Sequence, residues 1–124
     1  VRSPNNQDTI SGSIEYFGNI PEHSSIQFTE TNTEDLLTAA REALEKAQAI
    51  YTGNQPTAAL IVSCSSRMKL LGTRAREEHS IAQQVLKDLP NIGFHAYGEI
   101  CQLSSKGKSY FHNETFTAVL IGTQ

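Results

Sequence analysis

The run TAALIVSCSSRMKLLGTRAREE, Thr57 to Glu78, decides the fold. Its opening, TAALIVS, is apolar without polar alternation, the pattern of a strand buried on both faces, as in parallel sheets. Ser65 or Ser66 can cap the helix that follows. That helix is expected to reach about Leu89, where Pro90-Asn91 stops it. Next comes IGFHAYGEI, an alternating strand with Ile92, Phe94 and Ala96 on one face and His95, Tyr97 and Glu99 on the other. A strand, helix and strand in this order predict a parallel pair with a right-handed crossover.

Upstream, VRSPNNQDT (residues 1–9) is polar and reads as a flexible N-terminal segment. ISGSIEYFGNIPEHSSIQFTE suggests two strands, because Ile14 and Tyr16 alternate, as do Ile26 and Phe28, around turn residues. Thr31 with Glu34 has the form of a capping box. Leu36, Leu37, Ala40, Leu44, Ala47 and Tyr51 then recur at helical spacing until Gly53-Asn54 and Pro56. Downstream, ETFTAVLIG is a last strand, and the short loop LSSKGKS predicts an antiparallel C-terminal hairpin between it and IGFHAYGEI. The expectation is an α/β domain of order β-β-α-β-α-β-β with a mixed sheet of about five strands.

A chain of 124 residues suits one domain able to bury a core. The balance of 10 basic against 13 acidic residues gives 10 − 13 = −3, with no basic footprint, which argues against nucleic acid as a partner. Cys64 and Cys101 do not form a zinc-type array, so no metal or other cofactor is expected, and two thiols suit a reduced, cytoplasmic setting. No apolar run approaches the length of a membrane span, so no membrane insertion is expected.

The predicted topology brings three polar segments to one sheet edge: SCSSR, YGE and FHN. Open α/β sheets place ligands beyond the carboxyl ends of their strands. The helix start there offers free N–H groups, with Ser63, Ser65, Ser66 and Arg67 around it, a setting for a carboxylate or phosphate; the serines equally serve as ordinary caps. Arg67, Arg74 and Glu78, spaced by seven and four, fall on one helical face, which is also the apolar one. A charge on such a face is paired or lines a cavity. Arg74 and Glu78 either pair with each other or contact a ligand. Glu99 suits an ammonium group or an arginine, Gly98 permits close approach, and His112 and Asn113 offer hydrogen bonds. Cys64 at a helix start beside Arg67 is either a nucleophile or a small buried residue.

The pieces so assembled resemble the C-terminal part of the FIST sensory domain. They are Ser63-Cys64-x-x-Arg67 ending an apolar strand, Leu71-Gly72-x-Arg74 with Glu77-Glu78, Gly93-Phe94-x-x-Tyr97-Gly98-Glu99-Ile100, and Phe111-His112-Asn113-x-Thr115. GSIEYFGNIPEHSSIQF matches the family's opening hairpin more loosely, with His23 where glycine is expected. The likeness covers most of Ile10 to Gly122, so residues 10–124 are expected to be the FIST C-terminal domain. It implies a cytoplasmic, non-enzymatic input module of a longer signalling protein, partnered by a FIST N-terminal domain and an output domain, binding a small polar ligand such as an amino acid. The expected ligand-binding set is Ser63, Cys64, Ser65, Ser66, Arg67, Arg74, Glu78, Tyr97, Gly98, Glu99, His112 and Asn113. The rival readings are a cysteine enzyme using Cys64 and a ligand-free interaction domain with an exposed apolar sheet face.

Overall fold

A computed structural model describes residues 1–102 and 107–123. Residues 103–106, most of the loop expected before the last strands, lie outside them. The described chain runs β1 (Pro4–Asp8), β2 (Ser13–Tyr16), α1 (Thr33–Ile50), β3 (Gln55–Cys64), α2 (Ser65–Leu71), a 3-10 turn (Gly72–Ala75), α3 (Arg76–Leu86), β4 (Asn91–Ala96), β5 (Glu99–Gln102), β6 (Ser109–His112) and β7 (Phe116–Thr123). The architecture is α/β, with a mixed three-stranded sheet in the order β4-β3-β7 and two hairpins, β1-β2 and β5-β6.

The strand–helix–strand unit read from TAALIVS forms as expected. β3 and β4 are parallel, from Ala59 opposite Asn91 to Cys64 opposite Ala96. The C-terminal hairpin is present too, with different members. IGFHAYGEI breaks after Ala96 into β4 and β5, because Gly98 packs against Phe111 so closely that a Cβ there would meet the ring. β5 then pairs with β6, and β7 lies antiparallel to β3 on its other side.

Three local expectations are corrected. Residues 1–9 include a strand, β1, which pairs with β2 from Asp8–Ser13 to Pro4–Tyr16. Ile26 and Phe28 form no strand and are exposed, because no neighbouring strand takes up their backbone groups. The capping box lies one residue later than Thr31–Glu34: the Asn32 side chain accepts from the Asp35 N–H at 2.9 Å, and Asp35 accepts from the Asn32 N–H. His23, where glycine was expected, has φ +61°, a region that glycine enters without steric cost.

The core lies on one face of the three-stranded sheet. Ala59 and Ile61 of β3 pack with Leu36, Leu37 and Leu44 of α1, Leu71 of α2, and Ile81, Ala82 and Leu86 of α3; Phe116, Ala118 and Leu120 close it from β7. Side chains alternate along strands. Leu60 and Val62 therefore point to the other face, beside their register partners Ile92, Phe94, Thr117 and Val119. No helix of the described residues is long and apolar enough to cross a membrane.

The single helix expected from Ser65 to Leu89 is interrupted. Gly72 has φ +56°, and a 3-10 turn separates α2 from α3. The break sets the position of every charged side chain that follows.

Candidate functional site

The three polar segments converge. Cys64 is opposite Ala96 on β4, Ser63 is opposite Phe116 on β7, and the Cys64 N–H donates to the Thr115 carbonyl at 3.0 Å. The carboxyl ends of the parallel strands and the start of β7 thus share one rim, as the topology required.

At its centre is an internal ion pair. Arg67 is 2% exposed and Glu78 5%. Arg67 Nε donates to Glu78 Oε1 at 2.9 Å, and its Nη2 lies 2.7 Å from the same oxygen. Nη2 also donates to the Leu36 carbonyl of α1 at 2.8 Å, and the Ser63 hydroxyl donates to Glu78 Oε2 at 2.8 Å. The guanidinium lies 5.6 Å from the Phe116 ring centre, within cation–π range. Residues eleven apart on a straight helix are separated by about 16 Å along its axis. Arg67 and Glu78 can touch only because the chain turns at Gly72–Ala75.

That turn also removes Arg74 from the predicted group. Arg74 leaves the Arg67–Glu78 face and pairs with Glu77 and with Glu34 of α1. Those carboxylates raise the Arg74 guanidinium above its ordinary range, and Arg74 in turn lowers the pKa of Glu77. With 37% of its side chain exposed, Arg74 makes a surface contact weakened by water.

A second buried polar group lies where β5 meets β6. Glu99 and His112 are cross-strand partners, 2% and 6% exposed. Glu99 Oε2 accepts from the Thr115 hydroxyl at 2.8 Å, whereas Glu99 Oε1 and His112 Nε2 have no hydrogen-bond partner among the described residues. Asn113, 2% exposed, accepts from the Ser3 N–H, and the chain's first amino group lies 3.3 Å from His112 Nδ1. Asn113 thus ties β1 to the rim. Tyr97 is 90% exposed and joins neither group. Ser65 and Ser66 begin α2, and Cys64 is its N-cap, with no side-chain capping bond. Cys64 is 1% exposed, so its thiol is closed to solvent.

Two hollows adjoin these groups. The larger, about 530 Å3, runs between α1 and the β5-β6 hairpin along β7. Ala43, Ala47 and Ile50 form its apolar wall, and Arg67, Glu114 and Thr115 contribute polar groups. The smaller, about 170 Å3, lies between α3 and β3-β4 and reaches Ser63, Glu78, His79 and His95. Ligand sites commonly measure about 300–1,000 Å3, which favours the larger.

The family model of the FIST C domain matches residues 1–102. The chain belongs to the FIST C domain family. No curated protein and no solved structure matches it. The FIST C family is of sensory type, and the match reaches back through the polar N-terminal segment to residue 1. Within this FIST C domain, six of the predicted residues form two buried groups, Ser63–Arg67–Glu78 and Glu99–His112–Asn113, and Cys64, Ser65, Ser66, Arg74, Tyr97 and Gly98 belong to neither. No residue type marks the Leu36 carbonyl as an Arg67 acceptor, since backbone acceptors carry no residue code. Thr115, bonded to Glu99, already stood in the quoted Phe111–Thr115 motif.

His112 supplies a pH test. Burial lowers its pKa, Arg2 lowers it further, and Glu99 opposes them. The folded state then binds fewer protons than the unfolded state below the ordinary histidine value of about 6.5, so stability is retained above that value and lost as the pH falls through the folded one. The urea midpoint is expected to drop between pH 7 and 5, and His112→Gln is expected to flatten that drop.

Proposed function

We propose that this FIST C domain is the ligand-binding part of a signal-transduction protein, taking a small anionic or zwitterionic metabolite in the groove between α1 and the β5-β6 hairpin. An amino acid is the simplest such ligand. The observation that carries this reading is Arg67, a buried cation on the groove wall. Its Nε and Nη2 are held by Glu78 and Leu36, which fixes the plane of the guanidinium beside the groove. A guanidinium fixed in this way loses little freedom on meeting a carboxylate, so its charge is preorganised. Thr115 adds a hydroxyl oxygen, and Ala43, Ala47 and Ile50 suit an apolar side chain.

Calorimetric titration with the common amino acids and short carboxylates tests the proposal. One class is expected to bind, and Ala43→Leu, which fills the groove from a half-buried position on α1, is expected to weaken it at least tenfold while leaving the thermal melt unchanged. Binding unaltered by Ala43→Leu would remove the groove as the site.

The open face of the three-stranded sheet favours a second reading, an interaction domain. The cysteine-enzyme alternative requires Cys64 to become accessible. Fast alkylation of Cys64 near neutral pH in the folded chain is its test.

A further inference from the structure

The groove between α1 and the β5-β6 hairpin carries both signs of charge. Lys46 of α1 and Arg67 of α2 border it from the helices, and Glu114 and Thr115 border it from the chain that leads into β7. We infer that Glu114 holds an ammonium group of the ligand, so that the groove selects a zwitterion over a plain carboxylate. This rests on the groove being the ligand site and adds the class of molecule it takes.

The pole at Glu114 consists of acceptors. Glu114 contributes a carboxylate. The Thr115 hydroxyl gives its hydrogen to Glu99 Oε2 at 2.8 Å, so what it offers the groove is oxygen lone pairs. Such a pole opposes an anion and calls for a donor. One carboxylate beside one hydroxyl supplies too few ligands for a metal ion, whereas an ammonium brings three N–H donors on one small group.

The carboxylate is also held in place. The Ser3 hydroxyl, on a residue 7% exposed, donates to Glu114 Oε1 at 2.7 Å. A carboxylate accepts at about four lone-pair positions, so one serine leaves room for a second donor. Glu114 is thus restrained as Arg67 is by Glu78 and Leu36, and an acceptor restrained beforehand loses less freedom on binding.

The backbone at Glu114 is unusual for its residue type. Its φ is +59°, in the left-handed region where a side chain meets steric strain that glycine escapes. Among the described non-glycine residues, His23 and Lys87 also have positive φ; His23 lies in the exposed stretch before α1, and Lys87 caps α3. Glu114 is the one of the three that borders the groove. Strained residues gather at ligand clamps. Two residues on, the Phe116 ring meets the Arg67 guanidinium. Two residues of extended chain cover about 7 Å. Charge-assisted hydrogen bonds of about 2.8 Å at either end of one small zwitterion span such a separation.

Calorimetric titration of the 124-residue chain with matched pairs tests this. Each common amino acid is compared with the carboxylate in which hydrogen replaces its ammonium, leucine with 4-methylpentanoate and alanine with propanoate among them. In its best pair, the wild-type chain is expected to bind the amino acid about tenfold or more tightly than the carboxylate, the worth of one charged hydrogen bond. Glu114→Gln keeps the side-chain shape and an oxygen for Ser3, and removes the charge. It is expected to cut the preference to about twofold or less while leaving the carboxylate affinity within about twofold. A merely structural loss would weaken both members of the pair alike. Circular dichroism establishes that the variant is folded; if it is not, Glu114→Asn, which suits the left-handed backbone, takes its place. Equal binding of both members of every pair overturns the inference and leaves the groove as a carboxylate site. A preference that survives in the variant overturns it too. Binding of neither member of any pair removes the groove as a ligand site, and this inference with it.

Discussion

Arg67→Met is expected to destabilise the domain by about 3–5 kcal/mol, seen as a lowered urea midpoint at unchanged slope. The substitution keeps much of the side-chain length and removes the charge. Glu78 then stays 5% exposed with the Ser63 hydroxyl as its remaining donor, and the Leu36 carbonyl loses its partner. An uncompensated buried carboxylate is costly, because the interior cannot replace the solvation that water gave it. Replacing both charges is a different experiment. Arg67→Met with Glu78→Leu removes the orphan and its cause together, and such replacements are often neutral. The double variant is therefore expected to recover most of the loss, so the cycle gives a coupling energy at least as large as the recovered part, about 3 kcal/mol or more. A single-variant cost below about 1 kcal/mol would mean that water already solvates Glu78. The same comparison separates roles: if Arg67 also holds a ligand, the stable double variant binds none.

The legible part of this fold was the part written in periodicity. TAALIVS, the crossover and the parallel register follow from runs of residue type, and they suffice to bring Ser63, Cys64 and Thr115 to one rim. The charged face was half legible. Heptad spacing correctly marked Arg67 and Glu78 as facing inward and wrongly added Arg74, because spacing arguments assume one unbroken helix. Gly72 was visible, but a glycine in a helical pattern does not announce whether it breaks the helix. Glu99 and His112 were legible as residue types and not as a pair, since the partner of β5 depends on where IGFHAYGEI bends. The outward apolar face of β4 was visible as alternation, whereas its direction depends on which side the helices occupy.

Leu44→Ala is the second large effect, expected to cost about 2–5 kcal/mol by loss of buried methyl groups and the cavity left behind. Leu44 is 0% exposed at the centre of the α1 stripe that packs on β3. It is eight residues from Leu36, where Arg67 grips the same helix, so about 12 Å of axis separates the two anchors. At that distance the costs of Leu44→Ala and Arg67→Met should add within about 0.5 kcal/mol. Their sum approaches or exceeds the whole stability of an ordinary domain, so the combined variant is expected to be largely unfolded. Leu44 faces the core while Ala43 and Ala47 line the groove. Leu44→Ala therefore lowers stability without altering the groove wall. A ligand at about 100 times its Kd adds about 2.7 kcal/mol to any folded state it binds. If the groove is the binding site, that increment is the same in wild type and Leu44→Ala, and it vanishes in Ala43→Leu, which alters the wall and leaves the core intact.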